Sequence, residues 1–401
     1  MANFKYRAMN QNGSKVEGTH TANSKDDVIN MLSVNGMYPL MVEEVVESTK
    51  IEISILPDKV KIKDIAVFCR QFYTMLDAGL TLNHALHILS NQLTNKKLRK
   101  TVGAIEEDVK KGEMLSDSMK KYPDVFPALL ISMVESGEVS GRLDEIMLRM
   151  SVHFEKENKV NNKVKSAMIY PIILGIVAVA AVIVIMTFVM PTFIDMFAET
   201  GTELPLITKM LIATSDFMVK QWYVLLMITI CLVVGFNFFK KTDSGQTILS
   251  RVKLKAPLIK KLNQMIIVSR FTRTLSTLLA SGVSLIQCLD IISEVVGNRV
   301  AKDAIHKVRE EVFRGEGLYH PMKQSGIFPE MLYSMIKIGE ETGSLDSIME
   351  KTADFYDDEL EQTIQATVAM VEPAMIIVMG IGIGTIVLAI MIPMFTMYGT
   401  M

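Results

Sequence analysis

The sequence predicts a mainly α-helical, polytopic membrane protein. It has two homologous cytoplasmic helical bundles, three transmembrane helices and a small N-terminal α+β unit. Three observations predict this class. Residues 166–194, 221–239 and 373–401 carry no charged side chain and are overwhelmingly apolar. The charged block ahead of the first run is repeated ahead of the third. The apolar share, 49% of 401 residues, is high for a soluble chain and is concentrated in those runs.

Residues 1–47 read as a small α+β unit. Phe4, Tyr6 and Ala8 alternate ahead of Asn12-Gly13, a hairpin signal. Ser24-x-x-Asp27 is a capping box for a short helix ending near Gly36, and Leu40 to Val46 reads as a further strand. So small a unit has little core of its own and is expected to dock elsewhere. Residues 48–61, with charges and Pro57, read as a linker. Residues 62–165 form the first helical repeat. Phe68, Phe72, Met75 and Leu76 share a face, as do Leu82, Leu86 and Leu89, and then Leu98, Val102, Ile105 and Val109. Gly79, Gly112, Pro123, Pro127, Gly137 and Gly141 punctuate these stripes into about six helices.

The first span is assigned to 166–191, an outer connection with an amphipathic surface helix to 192–220, and the second span to 221–239. Residues 240–371 form the second helical repeat and 372–398 the third span. The repeat is read residue by residue. Phe68, Arg70, Thr74, Gly79 and Leu82 match Phe271, Arg273, Thr277, Gly282 and Leu285. Gly137-Glu138-x-x-Gly141-x-Leu143-Asp144 matches Gly339-Glu340-x-x-Gly343-x-Leu345-Asp346, and Pro171 and Pro191 match Pro373 and Pro393. Register held over such a stretch indicates duplication, with both copies crossing in one direction. The second span has no copy and returns the chain.

Charge orients the spans. Lys156, Lys159, Lys163 and Lys165 precede the first; Lys240, Lys241, Arg251, Lys253, Lys255, Lys260 and Lys261 follow the second. Between these spans only Lys209 and Lys220 stand against Asp195, Glu199, Glu203 and Asp216. The positive-inside rule puts the N-terminus and both repeats in the cytoplasm and the C-terminus outside. The N-terminal residues show no apolar signal-peptide core.

Few residues point to chemistry. The net charge of −2 gives no general attraction to nucleic acid, and Cys69, Cys231 and Cys288 have no ligand spacing. No G-x-x-x-x-G-K-[ST] loop occurs, and Gly380-Ile-Gly382-Ile-Gly384 lies within a span, where it reads as a surface for close helix approach. His84 and His87 lie three apart on a predicted helix without a neighbouring acid at ligand spacing, so they read as a solvated face. Glu138 and Glu340 sit between glycines and either cap the helix that follows or hold a cation; the structural turn is preferred. Glu372 abuts the third span where its counterpart is Tyr170, which points to an interfacial or partner role. Pro171 and Pro373 are expected in the first turns of their spans, and Pro191 and Pro393 where helices kink or stop. No catalytic, cofactor or metal constellation emerges.

These motifs resemble a known family. The paired G-E-x-x-G-x-L turns, the L-x-x-G-x-x-L turns at Leu76 to Leu82 and Leu279 to Leu285, the proline-bounded spans, Thr192 to Phe197 with Leu204-Pro205, and Phe4, Tyr6, Ala8, Gly13 and Gly18 are similar to the type II secretion system F family. The resemblance implies a non-enzymatic inner-membrane platform of a type IV pilus or type II secretion machine, with cytoplasmic six-helix bundles. It also implies partners: a hexameric cytoplasmic assembly ATPase, pilin or pseudopilin subunits, other inner-membrane components and further copies of the chain. Neither a cofactor nor direct nucleic-acid binding is implied. Under it, Gly79, Gly137, Glu138, Gly141, Gly282, Gly339, Glu340 and Gly343 are family turn residues with structural or partner-contact roles. The competing reading is a small-solute transporter built from parallel repeats. That reading needs polar groups or broken helices at the midplane, where the spans offer little beyond Thr187, Thr229 and Thr385.

Overall fold

Long unbroken helices dominate the computed structural model, which describes residues 2–10, 15–22, 24–44, 59–200 and 205–399. The chain divides into two units, Met1–Asp58 and Lys59–Met401.

In the first unit, β1 (Ala2–Met9) and β2 (Lys15–Ala22) pair antiparallel, α1 (Lys25–Val34) follows, and β3 (Tyr38–Glu44) completes a sheet of order β2-β1-β3. The alternation in β1 turns Phe4 and Ala8 toward Val28 and Leu32 of the helix. The capping box forms: Asp27 N–H donates to Ser24 Oγ, and Ser24 N–H to the Asp27 carboxylate, each at 3.2 Å. Pro39 is tolerated because β3 is an edge strand with an irregularity opposite Arg7 and Ala8. Gly18 lies opposite Tyr6, whose ring occupies the space a β-carbon would need. The expected turn at Asn12-Gly13 and most of the expected linker lie outside the described residues.

In the second unit, α2 (Ile62–Asp77), α3 (Leu82–Gln92), α4 (Lys96–Lys110), α5 (Leu115–Lys120), α6 (Ala128–Ser140) and the start of α7 (Leu143–Val184) form the first repeat. A π-helical turn, Ile185–Val189, joins α7 to α8 (Met190–Thr200). Next come α9 (Leu206–Lys220), α10 (Trp222–Lys241) and α11 (Asp243–Lys255). The second repeat is α12 (Pro257–Leu279), α13 (Leu285–Val295), α14 (Arg299–Phe313), α15 (Tyr319–Gln324), α16 (Glu330–Thr342) and α17 (Leu345–Gly399).

The copies match down to their caps. Thr81 Oγ1 caps α3 and Ser284 Oγ caps α13, while Asn95 and Asn298 cap α4 and α14. Phe68 packs on Phe126 in one copy and Phe271 on Phe328 in the other, with centroids 5.8 and 5.1 Å apart. Each fully buried aromatic of this kind stabilises the fold by roughly 1.5–3 kcal/mol. The buried apolar side chains of the two repeats form one continuous core.

Among the described residues three helices are long and apolar enough to cross a membrane, within Leu143–Ile194, Trp222–Lys241 and Leu345–Phe395. Their apolar surfaces are exposed, as expected of helices that face lipid. Here the structure corrects the expected role of the prolines. Pro171 is buried inside α7 and Pro373 lies inside α17, neither in a first turn. Pro393 also lies inside α17, and Pro191 follows the π turn and precedes further helix, so neither stops its helix, while the distortion expected at Pro191 is present as that π turn. The reason is that the first and third spans are not separate helices. Each continues the last helix of its repeat without interruption. At about 1.5 Å per residue, α7 is roughly 60 Å long and α17 roughly 80 Å.

Candidate functional site

The two G-E-x-x-G motifs build one device twice. Gly141 and Gly343 end α6 and α16 in the left-handed region, at φ 69° and 66°, where a side chain is strained. Arg142 N–H then donates to Gly137 O at 3.0 Å, and Ser344 N–H to Gly339 O at 3.1 Å. Gly137 allows α6 to cross the start of α7, since a β-carbon there would lie 3.0 Å from Ile146 and 3.2 Å from Leu143. Gly339 meets Leu345 in the same way. The glutamate caps a helix earlier in the chain, not the following one. Leu115 N–H and Ser116 N–H donate to the Glu138 carboxylate at 2.6 and 2.9 Å. In the second repeat Leu318 N–H and Tyr319 N–H donate to Glu340. A carboxylate at a helix start meets both the free amides and the positive end of the dipole. No cluster of metal-ligating side chains surrounds either glutamate among the described residues. Gly79 and Gly282, φ 81° and 78°, end α2 and α12 by the same left-handed turn.

Between the repeats runs a seam that the sequence reading missed. The lower parts of α7 and α17 lie side by side. Lys156 pairs with Asp354 at 3.0 Å, Lys163 with Glu361, and Tyr170 Oη donates to Glu372 at 3.3 Å. The α7 members are seven residues apart, which keeps them on one stripe of the helix. Glu372, expected at an interface or partner, is therefore held by its own repeat counterpart. At the heart of the seam Arg273 bridges Asp357 and Asp354 at 2.5 and 2.6 Å, and Ser269 Oγ donates to Asp357 at 2.7 Å. The counterpart of the Arg273–Asp357 pair is Arg70–Glu155, at 2.9 Å. Arg70 is 41% exposed where Arg273 is only 14% exposed, so one copy of the pair faces solvent and the other is enclosed. His153 is buried beside this network, near Thr277 Oγ1 at 3.4 Å. Burial, helped by the charges of Arg273 and Lys156, pushes its imidazole down to about 4, so it is neutral near pH 7. Burial also raises the Glu157 carboxyl, with Arg270 and Asn161 pulling the other way.

At the other end of the spans, α9 is anchored by two hydroxyls. Pro393 has no N–H to give Ala389 O, the carbonyl four residues back. Thr208 Oγ1 donates to that carbonyl at 2.7 Å. In the π turn, Met190 N–H reaches Ile185 O, and Pro191 again has no N–H to offer. Ser215 Oγ donates to Met186 O at 2.6 Å. Both hydroxyls are buried. The expected surface helix of the outer connection is thus packed on both long helices. Proline is tolerated in apolar helices where neighbouring hydroxyls satisfy the freed carbonyls. The missed signal was Thr208 and Ser215, seven apart on one face of an otherwise apolar segment.

Other expected residues resolve simply. His87 Nδ1 lies 2.9 Å from Glu106 Oε1, a buried acid that also meets Lys110 and Ser90. Burial raises that carboxyl, but the bonds from Lys110, His87 and Ser90 outweigh it, and the acid ends below the usual range. His87 thus has an acidic neighbour that spacing did not show. Gly380, Gly382 and Gly384 meet open space, so among the described residues no helix uses the expected close-approach surface. Thr187, Thr229 and Thr385 donate to carbonyls four residues back in their own helices.

The sequence matches known proteins. The type II secretion system protein F family matches residues 68–191 and again 271–393, and the N-terminal domain of the same family matches residues 1–43. The chain belongs to the type II secretion system protein F family. A type IV pilus assembly protein PilC of Thermus thermophilus is 35% identical over 401 residues, covering 99% of this chain and 98% of the relative. The PilC of Myxococcus xanthus is 34% identical over 406 residues, covering 99% and 95%. A type II secretion system protein F of Pseudomonas aeruginosa is 30% identical over 401 residues, covering 99% of each chain. Both family matches in the second unit run from the first helix of a repeat to the outer proline of its span. The family's repeating module thus includes both the bundle and the membrane helix.

Proposed function

We propose that this chain is the inner-membrane platform of a type IV pilus or type II secretion machine and that it has no catalytic role of its own. Its repeats, residues 62–165 and 240–371, lie in the cytoplasm and dock an assembly ATPase. Motion imposed on them passes along α7 and α17 and helps insert pilin or pseudopilin subunits into the filament. The N-terminus is cytoplasmic, the C-terminus outside, and the chain works as a homo-oligomer beside other inner-membrane components. The observation that carries this reading is the continuity of each bundle with its span. A helix without a break converts a tilt of the bundle into displacement at the far membrane face, which a hinged connection would absorb. The names of the relatives support the machine, and the distribution of lysines supports the orientation. The transporter reading gains nothing from the span threonines, each of which donates its hydroxyl to a carbonyl of its own helix.

The test pairs two assays. The full chain is co-purified with the assembly ATPase of its own organism, and filament assembly or secretion is compared between a deletion strain and wild type. Stable co-purification and loss of assembly on deletion are expected. Normal assembly without the chain would refute the proposal.

A further inference from the structure

A groove of about 600 Å³ lies in the corner between the end of α10, α11 and the α13–α14 turn. Four cations line it, Lys240, Lys253, Arg299 and Lys302, against one acid, Glu294. Lys302 pairs with Glu294, and Arg299 with Asp303 at 3.5 Å. Lys240 and Lys253 are exposed and have no acidic partner among the described residues. Lys240 sits 4.5 Å over the ring of Phe236, one turn back along α10, so its ammonium leans toward the apolar helix. The N-terminus of α14 opens on the same groove and adds the positive end of a 15-residue helix. Its own first amides are already capped by Asn298 and Ser250, so the ligand must be held by side chains. The wall toward the membrane is α10 itself, on which no residue is buried and Leu232, Val233 and Phe236 are exposed.

We infer that this groove binds the headgroup of an anionic phospholipid, with Lys240 and Lys253 on the phosphate and the acyl chains lying along α10. The inference rests on the topology proposed above, with α10 in the bilayer. Two features of the ligand are matched at once. A phosphodiester needs cations in a recess at the cytoplasmic surface, and acyl chains need an unpartnered apolar helix directly above it. A free phosphate would use only the first feature. A cytoplasmic protein partner would account for the cations and for Phe236, but not for Leu232, about two turns beyond Lys240 into the apolar helix.

The purified full-length chain in neutral detergent is titrated with phosphatidylglycerol or phosphatidylcholine, and bound lipid is counted by native mass spectrometry. Wild type is expected to retain phosphatidylglycerol preferentially. Lys240→Glu with Lys253→Glu should weaken it by about tenfold or more, and the milder Lys240→Gln with Lys253→Gln should weaken it less. Arg99→Glu with Lys100→Glu, the same charge change on the first repeat, should leave it unchanged. Equal retention by the groove variants, or equal loss in the control, would overturn the inference. So would displacement of the lipid by millimolar inorganic phosphate, which would make the groove a site for phosphate alone. Cys231 reports on the topology separately, since Cys69 and Cys288 are buried. If Cys231 in sealed membranes reacts with a water-soluble maleimide, α10 is not in the bilayer and the topology fails, whatever the lipid count.

Discussion

At the residue scale, the repeat places the same chemistry in two environments, and each pair is an internal control. Glu138 and Glu340 each satisfy two amides at the start of a short helix. Glu138→Ala or Glu340→Ala should therefore cost about 1–2 kcal/mol, read as a lower unfolding temperature with faster hydrogen exchange at the amides after Met114 or Gly317. Arg273 and Arg70 should separate. Arg273→Met leaves the enclosed Asp357 without its cation, while the more exposed Asp354 keeps Lys156, and should cost about 3 kcal/mol; Arg70→Met should cost under about 1 kcal/mol. His153 predicts a pH effect. Its folded value, about 4, lies below the unfolded value near 6.5, so between the two the unfolded chain binds more protons. Its contribution is complete above about pH 6.5 and is lost as pH falls toward 4, by roughly 3 kcal/mol in all. Thermal unfolding followed from pH 7 to pH 4 should show this loss, and His153→Asn should flatten it.

At the element scale, proline placement determines where α9 binds. Thr208 and Ser215 fill carbonyls that Pro393 and Pro191 leave open. Thr208→Val should cost about 1–2 kcal/mol, because Ala389 O is then buried without a donor. Pro393→Ala restores the missing N–H, so the double variant Thr208→Val with Pro393→Ala should recover most of that loss. Unfolding in detergent measures both; a double variant no better than Thr208→Val would rule out the proline explanation. These contacts explain what the sequence did and did not disclose. The helices of the repeats were legible because apolar stripes, caps and glycines repeat at matched spacing in both copies. The prolines were misread because the rule applied to them is that of helices in water, where a lost hydrogen bond ends the element. In an apolar helix a hydroxyl from a neighbour can replace that bond, and the sequence does not say which neighbour arrives. The pairs Lys156–Asp354 and Lys163–Glu361 were illegible for a similar reason. Periodicity shows that a stripe of α7 is polar, but only the packing of α7 on α17 shows what faces it. Glu138 was recognised as a turn residue, yet its target amides lie more than twenty residues earlier and are brought close by the crossing of α6 over α5.

At the scale of the whole molecule, duplication gives two bundles, each fused to its own membrane helix and joined to the other by a charged seam. α9 ties the far ends of the same two helices. The paired helices are therefore fixed to each other near both ends, through Lys156 and Lys163 below and Thr208 and Ser215 above. Such a frame transmits displacement only if its long members stay unbroken. The most direct test interrupts one of them. Three glycines are inserted in α7 between Ser166 and Ala167, where the bundle gives way to the span, and the altered chain replaces the native one in its own cell. The account predicts that the ATPase still co-purifies with the membrane-inserted chain while filament assembly or secretion is lost. Assembly at the wild-type level with that interruption in place would contradict it.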